Sequence, residues 1–232
     1  MTISPLTYIS PDRHSGGPPT SPPGEGTTRD ILEHINAVQR EVSRTGEAVT
    51  VLMRRTYRAE PAEVWDALTD PERMRRWFMP VSGDLTVGGS FQLQGNAGGE
   101  ILECDPPKRF KVTFGGPNSL LELRLTAAAD SSTDLELEHS MDAAPAPGGA
   151  GALWVGPGWD GGLLGLALYV TGELPPDTDP TAMANSAEVI KYNEQCVRAW
   201  IEVVRASGTT TEEDLLSAAK ISMSQFAPDA EL

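Results

Sequence analysis

Two polar side chains stand where the sequence pattern would bury them, and they are the first candidates for chemistry. His139 lies in "DLELEHSM", where Leu135, Leu137, His139 and Met141 alternate with Glu136, Glu138 and Ser140. A strand sends successive side chains to opposite faces, so the imidazole belongs to the dry one. Burying it unpaired would cost roughly 1 to 3 kcal/mol. It is therefore either a core histidine bonded to its neighbours or an anchor for a ligand. Arg55 falls on one face with Val49, Val51, Met53 and Tyr57. A guanidinium there requires a carboxylate or the anionic group of a ligand, and the pattern fits a structural ion pair and a ligand clamp equally.

Other chemistries lack their parts. A zinc site needs further ligands near His139, whereas His34 falls on a leading helix and His14 in a Pro-rich arm. No G-x-S-x-G elbow is present, and Cys104 has no partner histidine to activate it, so it reads as a small core residue. Glu100 and Glu103 are three apart on a strand, which predicts opposite faces and a solvated Glu103. Gly88, Gly89, Gly98 and Gly99 are expected in hairpin turns, because no Lys-Ser/Thr follows them as in a phosphate loop. No catalytic residue, metal or cofactor is assigned.

The elements that would hold these residues follow from periodicity. Residues 1–28 are dense in Pro, Gly, Ser and Thr and predict a disordered arm. Ile31, Ile35, Val38 and Val42 recur at three-to-four spacing between Thr28 and Gly46, which predicts a leading amphipathic helix over 29–46. Period two then sets in at Val49. Pro61 and the Asp70-Pro71 pair each suit a helix start, so "EVWDALTDPERMRRWF" reads as helix, break, helix. Between Gly83 and Met141 the segments "GDLTV", "GSFQLQ", "GEILECD", "RFKVTFG", "LLELRLTA" and "DLELEHSM" are separated by turn chemistry and predict an antiparallel meander. A buried helix is expected from about Trp159 to Leu174 around the apolar run "LLGLALYV", with two more helices after the linker "PPDTDPT", the second capped at Thr211.

A net charge of -15 over 232 residues repels phosphate backbones and anionic membrane surfaces, so neither nucleic acid nor membrane is an expected partner. Cys104 and Cys196 are far apart, with no CxxC and no secretory leader, which points to a reducing cytoplasm. The apolar run is shorter than the ~20 residues a membrane span takes. The apolar stripes on the terminal helices must be buried somewhere, and a homodimer is one way to do so.

"VWDALTDPERMRRWF", "VGGSF", "GEILECDPPKRF", "LELEH" and "GWDGGLLGLALYV" together resemble the START-like, or SRPBCC, superfamily, and within it the group named for the activator of heat-shock protein 90 ATPase. The resemblance covers about Val49 to Leu174. It implies an α+β helix-grip fold: a curved antiparallel sheet wrapped around a long C-terminal helix, with a cavity between them and, in this chain, extra helices at both ends. The helix-grip domain would occupy 47–174 and a helical extension 175–232. The polar groups expected in the cavity are His139 and Arg55. The apolar ones are Tyr57, Trp65, Trp77 and Phe78, then Phe91, Phe114, Leu137 and Met141, and finally Trp159 and Leu163.

Members of the superfamily bind lipids, sterols, polyketides or hormones, some cyclise polyketides, and some bind chaperones. The first expectation is therefore a binding module for a small apolar or amphipathic ligand. The second is a co-chaperone acting on an Hsp90-type ATPase, which rests on the resemblance alone. The third is a cyclase-like enzyme in the same cavity, for which His139 would be the one histidine placed to act as base.

Overall fold

The sheet is built by simple neighbours. In the computed structural model, which describes residues 31–142, 148–228 and 230–232, eight antiparallel strands lie in the order β1-β2-β8-β7-β6-β5-β4-β3. They are β1 (Gln39–Thr45), β2 (Ala48–Tyr57), β3 (Val81–Gly83), β4 (Ser90–Leu93), β5 (Gly98–Asp105), β6 (Arg109–Thr113), β7 (Leu120–Ala127) and β8 (Thr133–Asp142). The sheet is curved and does not close, so β1 and β3 are its edges. The arm expected over residues 1–28 lies outside the described residues, as does Thr28, the expected N-cap of the leading helix.

The leading helix expected over 29–46 is not formed. Ile31–Ile35 make one 3-10 turn, and the chain then becomes β1, paired with β2 through Val42↔Val51 and Arg40↔Met53. The apolar spacing suits a helix, but Val38, Arg40 and Val42 also fit period two, and pairing with β2 decides between them. Gly46 takes φ 61 at the first position of the two-residue loop, a conformation a Cβ would disfavour.

Two further expectations shift. Residues 84–89 are loop, and the strand before them is the short β3. In β5 the register slips between Ile101 and Glu103, so Ile101 opposes Val112 and Cys104 opposes Phe110. This bulge turns Ile101 and Cys104 to the inner face and leaves Glu100 and Glu103 together on the outer one, against the simple alternation. Outside, Glu41, Arg54, Glu136, Arg124, Glu122, Arg109 and Glu103 form one ladder of ion pairs from β1 to β5. Such a face is solvated, and each exposed pair adds little to stability.

Helices α1 (Pro61–Thr69) and α2 (Pro71–Trp77) cover one end of the sheet, and α3 (Ala152–Val170) crosses its inner face. Then follow α4 (Pro180–Ala184), α5 (Ala187–Ser207) and α6 (Glu212–Phe226), with α5 packed on α3 and against β1 at the sheet's edge, and α6 packed on α3 and α5. Thirteen of the nineteen residues of α3 are buried, because it is sandwiched in this way. It begins seven residues before the expected start at Trp159 and ends at Val170 rather than Leu174.

Local chemistry explains how so weak a helix persists. Pro157 has no N–H to give to Leu153 O, and Ser222 of α6 donates to that carbonyl instead, at 2.7 Å. Asp160 is fully buried and takes Arg40 of β1 through three contacts of 2.7 to 3.2 Å and the Trp200 indole N–H of α5 at 2.7 Å. Burial pushes the Asp160 carboxyl up and Arg40 holds it down; the bidentate geometry fits the ionised pair. The same Arg40 also donates to Ile35 O and Val38 O, tying the 3-10 turn to α3. The apolar residues Val197, Trp200 and Val204 of α5, with Leu215 and Met223 of α6, are covered within the chain, so they make no demand for a second subunit. Among the described residues no helix is long and apolar enough to cross a membrane.

Candidate functional site

The corner between α1 and α2 decides what faces inward. The Asp70 carboxylate accepts from the amides of Glu72 and Arg73, and Pro71 occupies the first helical position. The turn swings Trp77 under α1, where its indole N–H donates to Ala67 O at 3.0 Å. Phe78 stacks on Trp77 with centroids 5.3 Å apart and planes 27° apart. From the other side α3 comes close because Gly165 has no side chain: a Cβ there would stand 2.9 Å from Trp77 O.

Between these helices, α3 and the inner faces of β4 to β8 lies a cavity of about 180 Å³. Its aromatic walls are Trp77, Phe78, Phe91, Phe110, Phe114 and Trp159, and almost all the rest are aliphatic. Thr69 and Cys104 are the lining residues with polar side chains, and the Thr69 hydroxyl is bonded to Trp65 O at 2.8 Å. Leu85 and Cys104 alone among the lining residues are exposed, so the cavity opens beside them. Cys104, expected in the core, is exposed at this mouth: the β5 bulge turns it to the inner face, beyond the pairing with β4, which ends at Glu100.

Of the residues expected around a cavity, Trp77, Phe78, Phe91, Phe114, Leu137, Trp159 and Leu163 line it. His139, Arg55, Tyr57, Trp65 and Met141 do not. On β8 the cavity ends after Leu137, so His139 and Met141 lie beyond it, and no residue of β2, which carries Arg55 and Tyr57, lines it. Met141 sits near the end of β8 opposite Val49. The Tyr57 hydroxyl donates to Leu163 O at 3.1 Å, and Trp65 meets Phe110 edge-on at 5.9 Å. Phe110, Met74, Thr69, Leu85 and Gly162 also line the cavity, and the sequence reading missed them. The alternation Phe110, Val112 in β6 was the available signal for the first; Leu85 sits on a loop and Thr69 at the end of α1, and Met74 and Gly162 lie within α2 and α3, where no apolar stripe marks them.

His139 is buried behind the wall. Trp159 Nε1 donates to its Nδ1 at 3.0 Å, and Ser119 Oγ lies 2.8 Å from its Nε2. An indole N–H can only donate, so Nδ1 is the acceptor and the neutral ring's proton sits on Nε2, shared with the serine. Burial pushes the imidazole down to about 4. Its edge also meets the Phe114 ring, 5.6 Å between centroids. His139 therefore fixes the orientation of Trp159, a wall residue, and leaves no ring nitrogen for a ligand.

Arg55 points away from the cavity, toward the 3-10 turn. Its Nη2 lies 2.5 Å from His34 Nδ1, and its carbon end sits 5.3 Å from the centre of the Tyr57 ring. Nε and Nη1 are buried without a hydrogen-bond partner among the described residues. No carboxylate pairs with Arg55 among the described residues, so the expected structural ion pair is not found among them. Among the described residues no cluster of three His, Cys, Asp or Glu side chains could hold a metal ion.

Comparison with known proteins gives this geometry a context. The sequence model of a family described as activator of Hsp90 ATPase homolog 1-like protein matches residues 58–171. The crystal structure of CalU16 from Micromonospora echinospora is similar at 36% identity, with a TM-score of 0.59 over 73% of this chain and 99% of that one. The solution structure of CalU16 is similar at 37% identity, with a TM-score of 0.63 over 74% and 97% of the two chains. A conserved protein of unknown function, EF2215 from Enterococcus faecalis, shares the fold at 16% identity, with a TM-score of 0.52 over 75% and 95%. No curated protein sequence matches the chain.

Proposed function

Because the chain belongs to the activator of Hsp90 ATPase homolog 1-like family and has its helix-grip fold, we propose that it binds a small, uncharged, aromatic or largely apolar molecule in the cavity between α3 and the sheet. The wall carries this reading. A cavity of about 180 Å³ walled by six aromatic rings and aliphatic side chains is on the scale of a dry apolar cavity of ~150 Å³ that accepts benzene. A ligand of one or two rings fits that scale. Rings stacked or set edge-on against such walls gain about 0.5 to 1.5 kcal/mol per pair beyond area burial. Among the described residues no charged side chain lines the cavity, so an ionised ligand would be buried there without a counter-charge from them, at high cost.

The reading includes no catalytic step. The base that a cyclase would need was expected at His139, whose ring nitrogens are both engaged behind Trp159. Stimulation of an Hsp90-type ATPase rests on the family's name, and the cavity has no bearing on it.

The test is a titration of the protein with 2-naphthol, followed by quenching of tryptophan emission from Trp77 and Trp159. Saturation at one molecule per chain is expected. A Leu137→Trp variant, which fills the cavity from β8, is expected to melt cooperatively and to lose the binding. Absence of saturation with the unaltered protein, or equal binding by a folded filled variant, would overturn the proposal.

A further inference from the structure

α3 carries glycines at 156, 158, 161, 162 and 165, and each costs a helix interior about 1 kcal/mol relative to alanine. Packing accounts for two of them. A Cβ on Gly156 would stand 2.4 Å from Trp200 Cε2, and one on Gly165 would stand 2.9 Å from Trp77 O. Either contact forces something to move.

Gly162 is different. A Cβ there would meet Phe78 Cε2 at 3.7 Å, an ordinary van der Waals contact, and its backbone is helical. The fold therefore does not require glycine at this position. Yet it is the glycine of α3 that lines the cavity, and the missing side chain is directed at the Phe78 ring that closes the space above it.

We infer that Gly162 sets the depth of the cavity and so its size selectivity: by leaving the α3 backbone bare beneath Phe78, it admits a two-ring ligand where an alanine would admit only one ring. The inference rests on the ligand-binding reading given above and adds the class of molecule selected. Phe78 is the other side of the slot. It lies at the C-terminal cap of α2, is only half-buried, and is held by its stack on Trp77.

The test compares 2-naphthol with phenol, both uncharged at neutral pH, on the unaltered protein, on Gly162→Ala, and on Gly162→Ala combined with Phe78→Leu. Gly162→Ala is expected to weaken 2-naphthol binding by about tenfold, an overpacking cost of ordinary size, while phenol binding stays within twofold. Its melting temperature is expected to rise by about 2 to 4 °C, because a helical glycine has been replaced. Adding Phe78→Leu, which removes the ring that the new methyl meets, is expected to restore 2-naphthol binding.

If Gly162→Ala binds both probes as the unaltered protein does, Gly162 does not set the depth and the inference is overturned, while the cavity reading stands. A fall in melting temperature with loss of both probes overturns it too, since glycine would then be required by the fold. If the unaltered protein binds neither probe, the cavity reading fails and takes this inference with it.

Discussion

Ser222 of α6 donates its hydroxyl hydrogen to Leu153 O of α3 at 2.7 Å, the carbonyl that Pro157 leaves without a backbone donor. Both ends of this bond are buried. The C-terminal helix thus completes the hydrogen bonding of the helix that forms the cavity's wall.

Removing that hydroxyl is expected to be costly only while the proline is present. Ser222→Ala leaves a buried carbonyl unsatisfied and is expected to lower unfolding stability by about 1 to 3 kcal/mol. In a Pro157→Ala background the backbone N–H of residue 157 can serve Leu153 O, and the same substitution is expected to cost less. Urea unfolding of the four proteins in this cycle measures the coupling, and equal costs in both backgrounds would show that the bond does not replace the missing one.

The Arg40–Asp160 pair invites a similar comparison. Asp160→Asn leaves the Arg40 charge buried without a carboxylate and is expected to cost about 3 to 5 kcal/mol. Arg40→Met alone is expected to cost a similar amount, and the two together less than their sum. Additive losses would mean that the two charges do not stabilise one another.

His139 gives the protein an acid-sensitive interior. Its imidazole titrates at about 4 in the folded chain against 6.5 ordinarily. The unfolded chain therefore binds a proton, as pH falls between those values, that the folded one refuses. Stability from this group is whole above about 6.5, falls by at most about 3 kcal/mol on going down to about 4, and changes no further below that. A His139→Gln variant is expected to lose this slope, which unfolding curves collected from pH 7 to pH 4 would reveal. Parallel curves for the two proteins would refute the assignment.

Gly156 and Gly162 are expected to answer opposite to one another. Gly156→Ala drives a methyl into Trp200 and is expected to destabilise by about 1 to 3 kcal/mol despite alanine's better helix propensity. Thermal melts of the two alanine variants in one buffer check the signs.

Much of the sheet was legible from the chain itself. Leu121, Leu123 and Leu125 in β7 and Leu135 and Leu137 in β8 show their buried face by alternation, and Asp70 and Thr211 announce the starts of α2 and α6. What was missed depends on partners far away in sequence. Val38 and Val42 satisfy a helical and an extended period alike, and β2 selects between them. "GPGW" looks like a loop, but Trp200 and Ser222 fasten it as helix. The inward turn of Cys104 comes from a one-residue bulge that leaves no mark on composition. For His139 the dry face was correctly read, and its use was not: Trp159, the donor that fixes its tautomer, lies twenty positions on.

The sheet's two borders have a bearing on self-association. At one, β1 turns Arg40 inward to a buried carboxylate and carries Glu41 and Arg44 beside it; at the other, β3 offers only three residues for pairing. Charge on one border and brevity at the other make each a poor template for another molecule's strand. Stacking of one molecule onto the next by strand addition is checked at both margins, and concentrated stocks are expected to stay clear of fibres.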